Sequence, residues 1–262
     1  VSIVGFIIKN AARNKRRLLL SVLSAAVSLF LLVTLMVVLR EFTKPPTGGD
    51  SSLRVCVRNK VSLAATLPQR QRAEIEKIPG VAVCSPFVWF DGKFKEDEQM
   101  IFGTIATDPE KLPELLQEIK YDPEEYAAFL KDRTACLVGK DAMESVKFKE
   151  LGLKVGSKLT LISGIYPAKL ELKIVGTYEG SIDDRNTFFH HKYLDEALGN
   201  WGNTGMWWIR LENAESLGPA TTAIEAAFAN TANEVRAESE RAFQMSFVSM
   251  LGGVKELIGG IS

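Results

Sequence analysis

A chain of 262 residues accommodates a membrane anchor and one or two compact domains. Its 32 basic and 32 acidic residues cancel, but five of the basic ones lie in the first seventeen positions with no acid beside them, leaving 27 basic against 32 acidic residues for the remainder. A mildly acidic body without a basic stripe excludes nucleic acid as a partner.

Residues 1–17 read as a short amphipathic helix or a frayed basic tail. Ile3, Phe6, Ile7 and Ala11 recur at helical spacing, with Lys9 and Arg13 on the polar side. An apolar stripe edged by basic residues suits the headgroup boundary of a bilayer.

Residues 18–39 carry no charge, no Gly and no Pro. At helical rise they span roughly 33 Å, enough for a hydrocarbon core of ~30 Å. The spacing predicts a transmembrane helix over 18–40, with Leu18, Leu23, Leu29, Phe30, Leu35 and Leu39 among its lipid-facing anchors. A cleaved signal would have a shorter apolar run with its small residues at the end. Here Ser24, Ala25, Ala26 and Ser28 lie in the middle. Lys9, Arg13, Lys15, Arg16 and Arg17 precede the span, whereas Arg40, Lys44 and Arg54 after it are offset by Glu41 and Asp50. That asymmetry places the N-terminus in the cytoplasm and the following domain outside it, at the cell (inner) membrane.

Pro45, Pro46, Gly48 and Gly49 mark 41–50 as a linker. Beyond it, 53–58 reads as a strand, 68–78 as a helix ended by Pro79-Gly80, and 81–90 as a second strand. Strand 100–107 follows, then helices over 110–118 and 124–131, a short strand at 135–138 and a helix over 140–149. Segments 159–164 and 170–178 are the strongest β signals. Strand 207–212, helix 216–228 and a weak strand at 234–237 make a second β-α-β run that mirrors the first. The expected class is therefore α+β. A discontinuous subdomain (51–99 and 205–237) should carry an inserted mixed subdomain (100–204).

From 238 to 262 Phe243, Phe247, Leu251, Val254 and Ile258 keep helical spacing. The paired glycines at 252–253 and 259–260 suit close helix packing in a membrane better than a free helix in water. The segment reads as a stalk, or coupling helix, approaching a second span.

Sites for chemistry are scarce. Cys56, Cys84 and Cys136 show no CxxC or metal-type spacing. Cys56 and Cys84 fall on two expected strands, so a disulfide or three buried thiols are both open. His190 and His191 point apart if extended, which favours a surface or loop role over a shared metal. Asp183 and Asp184 sit among turn formers and read as a solvated turn. Trp207 and Trp208 must face opposite sides of a strand, so one of them is expected outside the core. No GxxxxGK[ST] phosphate loop occurs, so ATP hydrolysis must reside elsewhere, and no cofactor is called for.

Four features stand together: the basic segment leading into 18–39, the stretch IPGVAVCSP at 78–86, the pair LGLKVGSKLTL (151–161) and LKIVGTY (172–178), and the helix over 243–261. Together they resemble the ABC-transporter permeases of the MacB and FtsX-like family. Asp is common in the family after the second Gly of the third feature, where this chain has Ser157. Gly152 and Gly156 punctuate a helix-to-strand turn that a bulky residue at φ > 0 would strain. The resemblance implies four membrane helices with a large porter-like extracytoplasmic domain after the first. It implies a second permease copy or paralogue, a cytoplasmic ABC ATPase partner and an extracytoplasmic adaptor. On this reading the chain is the N-terminal part of a permease that exports or extracts an amphiphilic or peptide substrate and is itself no enzyme. The rival reading is a single-span anchored binding or sensor module.

Overall fold

The computed structural model describes residues 14–43, 53–94, 102–181 and 183–251. The chain divides into two compact units, one of residues 1–47 with 248–262, the other of residues 48–247.

In the first unit, helix α1 (Lys15–Thr43) forms where no Gly or Pro interrupts a run of Leu, Val, Ala and Ser. Leu18, Leu23, Leu29, Phe30 and Leu35 are all exposed to the surroundings. A helix at the surface of a water-soluble domain keeps one polar face. This one presents apolar side chains all round: over Lys15–Val37 mean hydropathy reaches 2.6 and nothing is buried. It is long and apolar enough to cross a membrane. Leu39 belongs to the same helix, whereas Lys9 and Arg13 lie outside the described residues.

The second unit is α+β. Its elements are β1 (Arg54–Asn59), β2 (Leu67–Pro68), α2 (Gln71–Ile75), β3 (Val81–Trp89), β4 (Gly92–Lys93) and β5 (Thr104–Thr107). Next come α3 (Leu112–Leu115), β6 (Lys120–Tyr121), α4 (Pro123–Lys131), β7 (Ala135–Gly139), α5 (Lys140–Glu144) and α6 (Val146–Glu150). Then follow β8 (Lys158–Ser163), β9 (Lys169–Glu179), β10 (Thr187–His190), α7 (His191–Ala197), β11 (Asn203–Thr204) and β12 (Met206–Leu211). The run closes with α8 (Leu217–Ala227), β13 (Val235–Ser239) and α9 (Glu240–Leu251), of which residues 240–247 belong to this unit.

Among the described residues one mixed sheet runs β13-β1-β12-β3-β5-β10-β7-β9-β8-β4, with β6 paired to β9, and β2 and β11 form a separate ribbon. Strands from the two ends of the domain (β13, β1, β12, β3) occupy one half of the sheet. Strands from the middle of the sequence fill the other, and β3 pairs with β5 where the halves meet through Val88↔Ala106 and Trp89↔Ile105.

Both faces of the sheet are covered. Helix α8 and Ile75 of α2 seal one face of the first half over Val55, Val57, Trp207 and Ile209. Leu112 and Leu115 of α3 and Tyr126 and Phe129 of α4 cover the opposite face, over Cys56, Trp208, Leu137 and Phe188. A third cluster around Phe90, Phe148, Leu161, Leu172 and Phe189 fills the other face of the second half. Trp207 and Trp208 do face opposite sides, but they are only 1% and 7% exposed, so neither lies outside the core. The reason is the second helical layer, which no local pattern announces.

Several elements differ from expectation. The helix over 140–149 is two helices, because Ser145 turns extended (ψ 151°) and its hydroxyl caps α6 through the Phe148 amide. Only 112–115 of the expected 110–118 is α-helix. Leu116 leaves helical geometry, and the chain then pairs as β6 on β9. The strand expected over 100–107 begins at Thr104, while positions 100 and 101 lie outside the described residues. Helix α2 is shorter than the 68–78 expected. Strand β10 and helix α7 carry His190 and His191, for which the sequence suggests a surface or loop role. Gly152 and Gly156 do adopt positive φ, at 64° and 92°.

Candidate functional site

The feature with most mechanical consequence lies where the first strand of the domain begins and its last strand ends. Antiparallel pairing sets Val55 opposite Ser239 and Asn59 opposite Val235, which brings the start of β1 beside the end of β13. The chain thus enters β1 and leaves β13 at one end of one strand pair. Ser239 passes directly into α9, and the Ser239 hydroxyl accepts from the Ala242 amide, capping its first turn.

Period-two alternation places Arg54, Cys56 and Arg58 on one face of β1 and Val55 and Val57 on the other. The charged face is the one covered by helices, not a solvent face. Arg54 is 1% exposed. Its Nε donates to the Glu240 carboxylate at 2.6 Å, and its Nη1 donates to Glu118 at 2.7 and 2.9 Å from the two oxygens. Arg58 pairs with Glu238 of β13 at 2.8 Å, and Arg210 of β12 lies directly across from Arg54. A buried ion is tolerated only with its partners in place, so these three segments are tied together by charge. Burial, with Glu118 nearby, pushes the Glu240 carboxyl above its usual range, although Arg54 opposes the shift.

Of the expected coupling helix, Phe243 is half-buried and packs on the core beneath α3 and α4. Phe247 and Leu251 belong to α9, while Val254 and Ile258 lie outside the described residues. Lys15, Arg16 and Arg17 stand exposed in the first turn of α1. Sequence reasoning missed Arg54, Glu118 and Glu240. The available signal was a pair of arginines on one face of a short β-branched strand.

The remaining candidates take structural roles. Cys56 and Cys84 sit on β1 and β3, with β12 between them, and their side chains join different core clusters. They cannot be bridged, and all three cysteines are free and buried. Burial drives their thiols up, so they are poor nucleophiles. The histidines are not on a surface loop. His190 ends β10 with Nε2 2.7 Å from the Phe129 carbonyl, and His191 is buried with Nε2 3.0 Å from the Asn203 carbonyl. Asp184 accepts from the Gly180 and Ser181 amides and Asp183 from Arg185, so the acidic pair organises a turn. Among the described residues no group of three His, Cys, Asp or Glu is placed to hold a metal.

No protein-family model matches the sequence, and the search of curated proteins returns no match. Solved structures do match. The periplasmic region of MacB from Actinobacillus actinomycetemcomitans superposes with a TM-score of 0.51 at 7% identity, covering 78% of this chain and 98% of that one. The domain has the MacB-type periplasmic fold. The extracellular domain of the noncanonic ABC-type transporter YknZ from Gram-positive bacteria also matches, at TM-score 0.49 and 9% identity over 71% of this chain and 99% of that one. Within this chain's MacB-type fold, the Arg54 cluster lies where β1 starts and β13 ends.

Proposed function

We propose that this chain is the N-terminal portion of a permease subunit of a MacB/FtsX-like ABC transporter, with its domain outside the cytoplasm and its ATPase on a partner. Helix α1 anchors it in lipid, with Lys15, Arg16 and Arg17 on the cytoplasmic side. The subunit works as a dimer with a second permease copy or paralogue, and an extracytoplasmic adaptor completes the path. ATP-driven movement of membrane helices reaches the domain through α9, and the moving domain exports or extracts an amphiphilic or peptide substrate.

The observation that carries this reading is the direct run of β13 into α9, with Arg54 and Glu240 fixing the start of that helix to the first strand of a MacB-type domain. A helix held at its root transmits displacement, whereas a slack linker absorbs it. The test is a flexible Gly-Ser insertion after Arg241 in the full-length permease assembled with its ATPase. Loss of transport with ATP hydrolysis retained is the expected result. Undiminished transport with coupling intact would remove the mechanical role of α9.

A further inference from the structure

We propose that Arg54 is a releasable clasp, shared between Glu118 and Glu240, from which the first turns of α9 detach while the rest of the domain stays folded. The transport reading uses the closed state, in which the root of α9 is fixed; the clasp adds a second, released state, and it is measured on the chain itself, whatever the chain moves.

Three observations support a two-state joint here. The first is stoichiometry. One guanidinium faces two carboxylates drawn from segments 64 and 186 positions away in sequence. Glu118 engages Nη1 through both oxygens, and Glu240 engages Nε through one. If Glu240 leaves, Arg54 keeps a one-to-one partner and the repulsion between the two carboxylates disappears. If Arg54 were removed instead, both carboxylates would lose the guanidinium they are bonded to, with Arg210 across the strand pair left in place. Breaking a buried pair costs most when it strands a charge, so the departure of Glu240 is the mild route.

The second observation is the uneven hold on α9. Beyond Glu240, Arg241, Ala242 and Met245 are exposed, Met245 at 58%, and Phe243, Gln244 and Ser246 are half-buried. Among the described side chains of 241–246, Phe243 is the hydrophobic one packed against the core cluster. Strand β13, by contrast, pairs along its whole length with β1, ending at Val55↔Ser239. The contrast puts the hinge at Ser239–Glu240. Segments with few buried apolar contacts open at low free-energy cost while neighbouring strands stay closed.

The third is the choice of chemistry. A purely structural joint at a site this buried is served as well or better by apolar side chains, whereas charged groups permit a bond to be made and broken without loss of packing. Desolvation of the Glu240 carboxyl in the closed state acts in the same direction, since that carboxylate is better hydrated once the turn swings out.

The test is amide hydrogen exchange on the whole chain in lipid nanodiscs, comparing residues 241–246 with β1 and β13. Glu240→Gln removes the charge that Arg54 holds on α9, and exchange at 241–246 should rise about tenfold while β1 and β13 stay protected. Glu118→Gln removes the competitor, leaving Arg54 to Glu240 alone, and exchange at 241–246 should slow by a few-fold. The opposite signs are the signature of sharing. If both substitutions speed exchange, the three groups form a static structural cluster and the clasp is wrong. It is equally wrong if Glu240→Gln leaves 241–246 unchanged, or if it raises exchange in β1 and β13 in step. Arg54→Lys, which keeps one charge but loses the forked geometry, should free 241–246 as Glu240→Gln does.

Discussion

Replacing Trp207 or Trp208 by alanine measures whether the sheet is truly covered on both faces. The two side chains leave β12 in opposite directions, Trp207 among Val55, Ile224 and Phe228, Trp208 among Cys56, Leu112 and Phe129. Trp208 also meets Phe87 edge-on with ring centroids 5.0 Å apart. A buried tryptophan removes about 200 Å² from water, worth roughly 5 kcal/mol at ~25 cal/mol per Å². Measured Trp-to-Ala losses in cores are about 3–5 kcal/mol. With a urea dependence of about 2 kcal/mol per molar, each substitution should lower the unfolding midpoint by about 2 M. Total stability of a domain is about 5–15 kcal/mol, so the double substitution should leave it largely unfolded. Equilibrium urea denaturation of the detergent-solubilised chain, followed by far-ultraviolet circular dichroism, reads both. A loss below ~1 kcal/mol at either position would mean that face is open to water, and the two-layer reasoning would fail.

Other consequences are as direct. A Cβ on Gly139 would collide with the Asp184 carbonyl, so Gly139→Ala must push the backbone at 184–186 away, lowering stability by about 2–3 kcal/mol in thermal denaturation. A membrane-impermeant maleimide should leave Cys56, Cys84 and Cys136 unmodified in the native chain and label all three in denaturant. Burial holds His190 and His191 below the ordinary imidazole pKa, so the unfolded chain takes up protons first as pH falls. Their contribution to stability is complete above about pH 6.5 and declines below it, toward the lower folded-state values. Relative to a His190→Gln, His191→Gln variant, the parent's melting temperature should therefore drop further between pH 7.5 and 5.5; an equal or smaller drop would contradict the burial argument.

Local chemistry made part of this fold legible. Strand β9 alternates Lys169, Glu171 and Lys173 outward with Leu170, Leu172 and Ile174 inward, a pattern that needs no tertiary knowledge. Helix α4 starts where Asp122 accepts from the amides of Glu124 and Glu125 and Pro123 occupies the first turn. Leu18 to Leu39, with no charge, Gly or Pro, announced a helix long and apolar enough to cross a membrane. What escaped notice depends on distant partners. Strand β10 is four residues, buried between β5 and β7, and has no room to display alternation. His191 looked polar and is core because α7 turns it toward Asn203. Arg54 shows in the sequence only as one charge of an alternating strand, because its partners Glu118 and Glu240 come from far along the chain. The second helical layer, which made both tryptophans interior, is equally a long-range fact.

The central claim is that α1 crosses the membrane with its basic end inside and the MacB-type domain outside. Val61 is 91% exposed in the loop after β1, Lys15 opens α1, and the native thiols are buried, so single added cysteines report cleanly. In cells with an intact cytoplasmic membrane, an impermeant maleimide should label Val61→Cys at once and Lys15→Cys only after permeabilisation. Labelling of Lys15→Cys from outside, with Val61→Cys protected until lysis, would contradict the account.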